Sequence, residues 1–230
     1  MNKKILITGA SGGIGKLLMK HFFNKQISVQ GTFLGTAPEP ELEKYFTKVD
    51  VSNFTNVKNW IDDNAEPLTE LTLINCAGIA YNAVAHKSDP DKWQKVIEVN
   101  LIGTYNAISA VLPYMRESNY GRIINFSSVT AQKGVPGTSS YAASKSGIWG
   151  MTKAIAVENA SRNITINNIN LGYMDIGMIK MVPADIQEII KSNIPMKSFG
   201  HPREIIKTIQ YLIDADYITG TSIDLNGGLY

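Results

Sequence analysis

Ile5-Leu6-Ile7-Thr8-Gly9-Ala10-Ser11-Gly12-Gly13-Ile14-Gly15 is the stretch on which the fold turns. A short apolar run, Ile5–Thr8, predicts a strand. A glycine-rich turn follows, and from Ile14 to Asn24 apolar residues recur at helical spacing (Ile14, Leu17, Leu18, Phe22). A turn that brings backbone against a pyrophosphate needs glycine, which alone permits the close approach and the dihedrals. The amino end of the next helix adds free N–H donors and a favourable dipole for the anion. A glycine-rich strand-to-helix junction without a ligand is the alternative, and the position directly after a first strand weighs against it.

Working outward, short apolar runs alternate with stretches of helical period. Strands are expected at Ser28–Phe33, Lys48–Val51, Leu71–Asn75, Arg122–Ser127, Thr165–Asn170 and Ser222–Leu225. Helices are expected from Pro40 to about Phe46 and at Thr55–Asn64, Pro90–Arg116, Ser139–Asn159 and Arg203–Asp214, with Pro113 bending or shortening the last turn of the long one. About seven strands alternating with helices predict an α/β, single-domain, doubly wound parallel sheet with helices on both faces. Residues 1–230 read as one domain. The less regular segment 173–200 is expected to be a substrate lid.

Composition narrows the function. The chain has 230 residues, 44% of them hydrophobic and 18% charged, the balance of an ordinary globular domain. A net charge of +2 does not suggest nucleic acid or an anionic membrane as partner. The single cysteine, Cys76, excludes an intrachain disulfide and the zinc-ligand patterns, so no metal is expected. No apolar run reaches the ~18 residues of a membrane span, and the opening is too short for a signal peptide. A cytoplasmic location is expected.

The second motif is Tyr141-Ala142-Ala143-Ser144-Lys145. Residues four apart share a helix face, so a phenol and an ammonium can serve one site. A free tyrosine titrates near ~10. A cation within a few ångströms lowers that by ~1–3 units, which makes the phenol usable as an acid/base. Ser128 follows the fifth strand, where a hydroxyl at the carboxyl end points into the ligand crevice. Taken alone, Tyr141 and Lys145 read equally as an interface tyrosine beside a solvated lysine.

Together Thr8-Gly9-x-x-x-Gly13-x-Gly15, Asn75-Cys76-Ala77-Gly78 and Ser128 thirteen residues before Tyr141-x-x-x-Lys145 resemble the short-chain dehydrogenase/reductase family. The likeness is greatest to 3-oxoacyl-(acyl-carrier-protein) reductases and extends to the Ile218-Thr219-Gly220…Asn226-Gly227-Gly228 ending. The resemblance implies a Rossmann-type oxidoreductase moving a hydride between NADP(H) and a carbonyl or alcohol, such as a 3-oxoacyl thioester, free or on an acyl carrier protein, or a polyketide-like group. It implies that Tyr141 is the acid/base, that Lys145 lowers its pKa and holds the nicotinamide ribose, and that Ser128 binds the reacting oxygen. Asn100 is implied to position a relay water. Cofactor contacts are implied for Gly9, Ser11, Gly12, Gly13, Ile14, Gly15, Phe33, Leu34, Asp50, Val51, Asn75, Ala77, Gly78, Asn100, Tyr141, Lys145, Gly172 and Ile176. Ser128, Gln132, Tyr141 and Tyr173 would meet the substrate, with Val129, Val135, Met174 and Met178 as further wall. A homodimer or homotetramer through the two long helices and the carboxyl end is implied.

The sequence departs from the family pattern in places. Cys76 replaces a second asparagine, Leu171 a proline, and Ile176 a threonine that contacts the carboxamide. Leu171 is expected to loosen the turn towards the lid. Gly31-Thr32-Phe33-Leu34-Gly35 has no acid to select NAD, and Gly12 stands where many NADP-dependent relatives carry arginine. Lys3, Lys4 or Lys16 are candidates to neutralise a 2′-phosphate. The alternatives are an NAD-dependent dehydrogenase of a small alcohol or sugar, and a catalytically silent binding or scaffold protein.

Overall fold

Strand β1 (Lys3–Thr8) alternates its faces. Leu6 joins an apolar cluster with Val57, Trp60, Ile61, Ile108 and Val111, while Ile5 and Ile7 join a second with Leu18, Phe22, Ile205 and Ile209. A strand apolar on both sides must be covered on both sides, and that is the architecture found. The computed structural model describes residues 3–66 and 69–230, with the Met178 side chain excluded.

The remaining strands are β2 (Ser28–Phe33), β3 (Phe46–Lys48), β4 (Glu70–Asn75), β5 (Gly121–Ser128), β6 (Ile164–Leu171) and β7 (Ser222–Leu225). They form one parallel sheet in the order β3-β2-β1-β4-β5-β6-β7. Helices α1 (Gly13–Asn24) and α7 (Pro202–Asp214) pack on one face; α2 (Phe54–Asn64), α4 (Gly103–Ser118) and α5 (Ser139–Asn159) pack on the other. The strand order reverses direction between β1 and β4, and in such sheets ligands bind outside the carboxyl ends at that point.

Three expectations are corrected. The third strand is Phe46–Lys48, starting two residues before its expected start and ending at Lys48, where it was expected to begin. Pairing with β2 stops at Val49, whose N–H donates to Phe33, and Asp50 then closes a turn by accepting from Ser52. The long helix is interrupted: α3 (Pro90–Ile97) passes through a π-helical stretch, Glu98–Ile102, into α4. Pro113 does not shorten its last turn. Helix α4 runs on to Ser118, where Asn119 in the left-handed conformation stops it. Pro90–Ser118 is also long and apolar enough by composition to cross a membrane, yet more than half of its apolar window is buried in the fold. Finally, 173–200 holds a short 3-10 turn (Gly177–Met181) and α6 (Ala184–Asn193). The signal was present in Pro183 followed by Ile186, Ile189 and Ile190 at helical spacing.

A row of buried polar side chains crosses the sheet in register. Thr8, Asn75, Asn125, Asn168 and Ser222 are direct neighbours on successive strands. Asn75 accepts from Thr8 and donates to Asn125 at 2.8 Å, Asn125 donates to Asn168 and to Thr152 of α5, and Asn168 donates to Ser222. In a dry interior such groups are tolerated only when paired. The row therefore fixes strand register and clamps α5.

Candidate active site

The glycine loop is held by its neighbours. Gly9 has a φ of +63°, and a Cβ there would sit 2.7 Å from the Ala77 Cα. Its N–H donates to Thr32 Oγ1, and the Ala10 N–H to the Thr32 carbonyl, so the loop is tied to the end of β2. Among the described residues no side chain caps α1, leaving the N–H groups of its first turn for an anion, and none lies within 4 Å of where a Gly12 Cβ would stand. A dinucleotide pyrophosphate fits this arrangement. Gly13 (φ +31°) meets Gly177 (φ +71°) of the segment after β6, a Gly13 Cβ lying 3.3 Å from the Gly177 Cα. The segment thus rests on the glycine loop at two residues without side chains.

Ser128 ends β5, and Tyr141 and Lys145 lie one turn apart near the start of α5. The Lys145 ammonium lies 5.6 Å from the Tyr141 ring centre and donates to the Phe126 carbonyl at 2.7 Å. Helix α5 is bolted down from below. Trp149 Nε1 donates to both Ser127 Oγ and Asn170 Oδ1, and Ser127 donates to the Lys145 carbonyl. Asn100, in the π-helical stretch, is fully buried; it accepts from the Ile79 N–H and donates to the Ile79 carbonyl and Ser144. A Cβ on Gly78 would be 3.3 Å from Asn100 Oδ1 and 3.9 Å from Lys145 Nζ, which brings the three together.

The phenol's pKa shift runs opposite to the expectation that Lys145 lowers it. Burial pushes the Tyr141 phenol above its ordinary pKa, opposed by the neighbouring Ser128 hydroxyl rather than by Lys145. Burial likewise pushes Lys145 down to about 8. The thiol of Cys76 is raised by the same cause, with Lys145 opposing. Desolvation is the largest cause of both shifts, because both groups leave water together.

Several implied contacts are revised. The Asn75 side chain is spent inside the sheet. Val51 packs beneath Gly103, and its carbonyl accepts from Asn106, so only its N–H remains for an adenine. Asp50 keeps one oxygen on Ser52, accepting from both its N–H and its hydroxyl. Gly172 is not in a loosened turn: its N–H donates to Leu225, and a Cβ would sit 2.7 Å from the Asn226 Cα. Ile176 packs against the second core cluster. Val129 and Met174 are buried, Val135 and Tyr173 are half-buried, and the Met178 side chain lies outside the described residues. Gln132 donates to Asp224 at 3.0 Å. Phe33 packs edge-on against Phe46, and Leu34 is half exposed. Lys3 and Lys4 begin β1, at the sheet end opposite the crevice, where Lys4 pairs with Glu66. Lys16 does flank the glycine loop. Glu39, passed over in the sequence, stands there with it. Among the described residues no group of three His, Cys, Asp or Glu side chains could hold a metal ion.

The family model for short chain dehydrogenase matches residues 3–187. The chain belongs to that family. The short-chain dehydrogenases most similar to it include an acetoacetyl-CoA reductase of Rhizobium meliloti strain 1021, 36% identical over 242 residues, covering 100% of this chain and 99% of the relative. A crystal structure of 3-oxoacyl-[acyl-carrier protein] reductase from Brucella melitensis superposes with a TM-score of 0.91 at 30% identity, covering 99% and 91% of the two chains. A structure of ElxO with NADP bound gives 0.87 at 27% identity, covering 100% and 99%. The chain is a short-chain oxidoreductase with a Rossmann-type sheet.

Proposed function

We propose that this short-chain dehydrogenase is an NADP(H)-dependent reductase of a 3-oxoacyl thioester or a closely related carbonyl. The observation that carries the reading is the convergence at the carboxyl end of the sheet of the Ser128 hydroxyl, the Tyr141 phenol and a buried Lys145 ammonium. The relatives named above, an acetoacetyl-CoA reductase and a 3-oxoacyl-(acyl-carrier protein) reductase, support the substrate class, and the NADP-bound neighbour supports the cofactor.

A bound nicotinamide supplies the hydride. Tyr141 gives its phenolic proton to the carbonyl oxygen during reduction and takes it back in the reverse direction. Ser128 holds that oxygen by donating a hydrogen bond. Lys145 binds the ribose hydroxyls and lends positive charge as the phenolate forms. The first-turn N–H groups of α1 hold the pyrophosphate, and Asp50 and the Val51 N–H meet the adenine. Asn100 keeps the Ile79 backbone in place beside Lys145 and orients a relay water. Residues 173–200 close over the substrate. Self-association through α4 and α5 is part of the reading, since Tyr105 and Val157 are exposed on these helices.

The test is oxidation of NADPH and NADH by acetoacetyl thioesters of coenzyme A and of an acyl carrier protein. Thioester-dependent oxidation of NADPH is the expected result. Oxidation only with small ketones or sugars, or only with NADH, overturns the corresponding part of the proposal.

A further inference from the structure

A carboxylate and two ammonium groups meet beside the glycine loop, away from the reacting hydroxyls. Lys16 and Lys20 lie one turn apart on α1, and both reach Glu39, just before the 3-10 turn Pro40–Tyr45. Lys16 Nζ lies 2.8 Å from Glu39 Oε1, and Lys20 Nζ lies 2.9 Å from both carboxylate oxygens. Lys16 and Glu39 border a hollow whose other walls include Ser11 and Thr36, and Lys20 reaches it through Glu39.

Its position matters. The hollow lies just past the end of β2, which Thr32 ties to the glycine loop. In dinucleotide folds the adenosine ribose lies at that strand end, where an acid accepts from its 2′-hydroxyl or a base takes its 2′-phosphate. Here both kinds of group are present, and they are engaged with each other. Both lysines hold the carboxyl of Glu39 below its ordinary pKa, so it is charged at neutral pH.

We propose that Glu39 is a built-in counter-ion that holds Lys16 and Lys20 in the place of the cofactor's 2′-phosphate, and that its displacement by phosphate sets the preference between NADP(H) and NAD(H). This rests on the NADP(H) reading above and specifies how that choice is made. Two ammonium groups and one carboxylate leave a net charge of +1, enough to attract a phosphate yet weaker than the bare lysines. The phosphate offers three oxygens to the same donors, and Lys16 stands at the positive end of α1. The Glu39 side chain is 32% exposed, so it can swing into water when displaced. NAD(H) has no group that competes for the lysines, and the cluster stays closed around it. The cost of opening therefore falls on NADP(H) alone.

The experiment is a titration of NADPH and NADH, without substrate, into the wild type, Glu39→Gln and the double variant Lys16→Gln/Lys20→Gln. Thermal unfolding checks that each is folded. Glu39→Gln is expected to tighten NADPH about tenfold, the weight of one charge-assisted hydrogen bond, and to leave NADH within about twofold. The double variant is expected to weaken NADPH by about tenfold or more and to spare NADH. An unchanged NADPH affinity in Glu39→Gln overturns the counter-ion role while leaving the NADP(H) reading intact. Weaker NADH binding in Glu39→Gln also overturns it, because Glu39 would then be the acceptor for the ribose hydroxyl. A wild type that prefers NADH sinks the NADP(H) reading; a Glu39→Gln variant that then gains NADPH affinity still supports the counter-ion.

Discussion

Replacing Lys145 by methionine is expected to make the protein more stable at neutral pH while abolishing its turnover. The side chain is 6% exposed, and burial lowers its pKa from 10.5 to about 8. Below pH 8 the folded chain must carry this charge out of water. Between pH 8 and 10.5 the unfolded chain binds more protons than the folded one, so stability rises with pH over that window. A fall of that size corresponds to roughly 3 kcal/mol of penalty, fully present below pH 8 and gone above about 10.5. Methionine keeps most of the stem's volume, but the Phe126 carbonyl loses a hydrogen bond worth about 1 kcal/mol. The variant should therefore gain about 2 kcal/mol at pH 7, or about 4–8 °C in Tm for a chain of this size. That advantage should reverse to a deficit of about 1 kcal/mol near pH 10.5. Urea unfolding of both proteins at pH 7 and 10.5 gives the comparison directly. A difference that does not change between the two pH values would refute the reasoning, because a desolvated ammonium must reveal itself by titrating.

Other outcomes follow from the same geometry. Tyr141→Phe should bind NADPH with near wild-type affinity but lose at least about a hundredfold in turnover; a surviving rate in a steady-state assay would move the proton donor elsewhere. Asn125→Ala should cost about 3 kcal/mol in urea unfolding, because Asn75, Thr152 and Asn168 lose partners in a dry interior; a loss below about 1 kcal/mol would mean that water replaces the row. Gly177→Val should weaken dinucleotide binding severalfold in a fluorescence titration, since a branched side chain at φ +71° is strained and faces Gly13. Unchanged affinity would show that this segment does not bear on the glycine loop when the cofactor binds.

Much of the molecule was legible in the chain itself. Two-sided apolar strands alternating with helical periods lead to a parallel sheet covered on both faces, because that is how such strands escape water. Tyr141 and Lys145 declare their shared helix face by spacing, and glycine at position 9 declares a turn that admits no side chain. These are local rules, and the sequence carries them whole. What only the tertiary structure decided depends on residues far apart in the chain. Asn125 gives no hint in the sequence that it meets Asn75, Thr152 and Asn168; strand order and register bring them together. The π-helical stretch at Asn100 arises where that side chain bonds to the Ile79 backbone, a contact across 21 residues. Glu39 lay outside any reading of the end of the second strand, because the loop after Phe33 must first fold back onto α1 before its carboxylate can reach Lys16 and Lys20. The direction of the Tyr141 and Lys145 pKa shifts was equally hidden. Spacing fixes how near two groups lie, but desolvation is set by everything packed around them, and here it is the largest cause of both shifts.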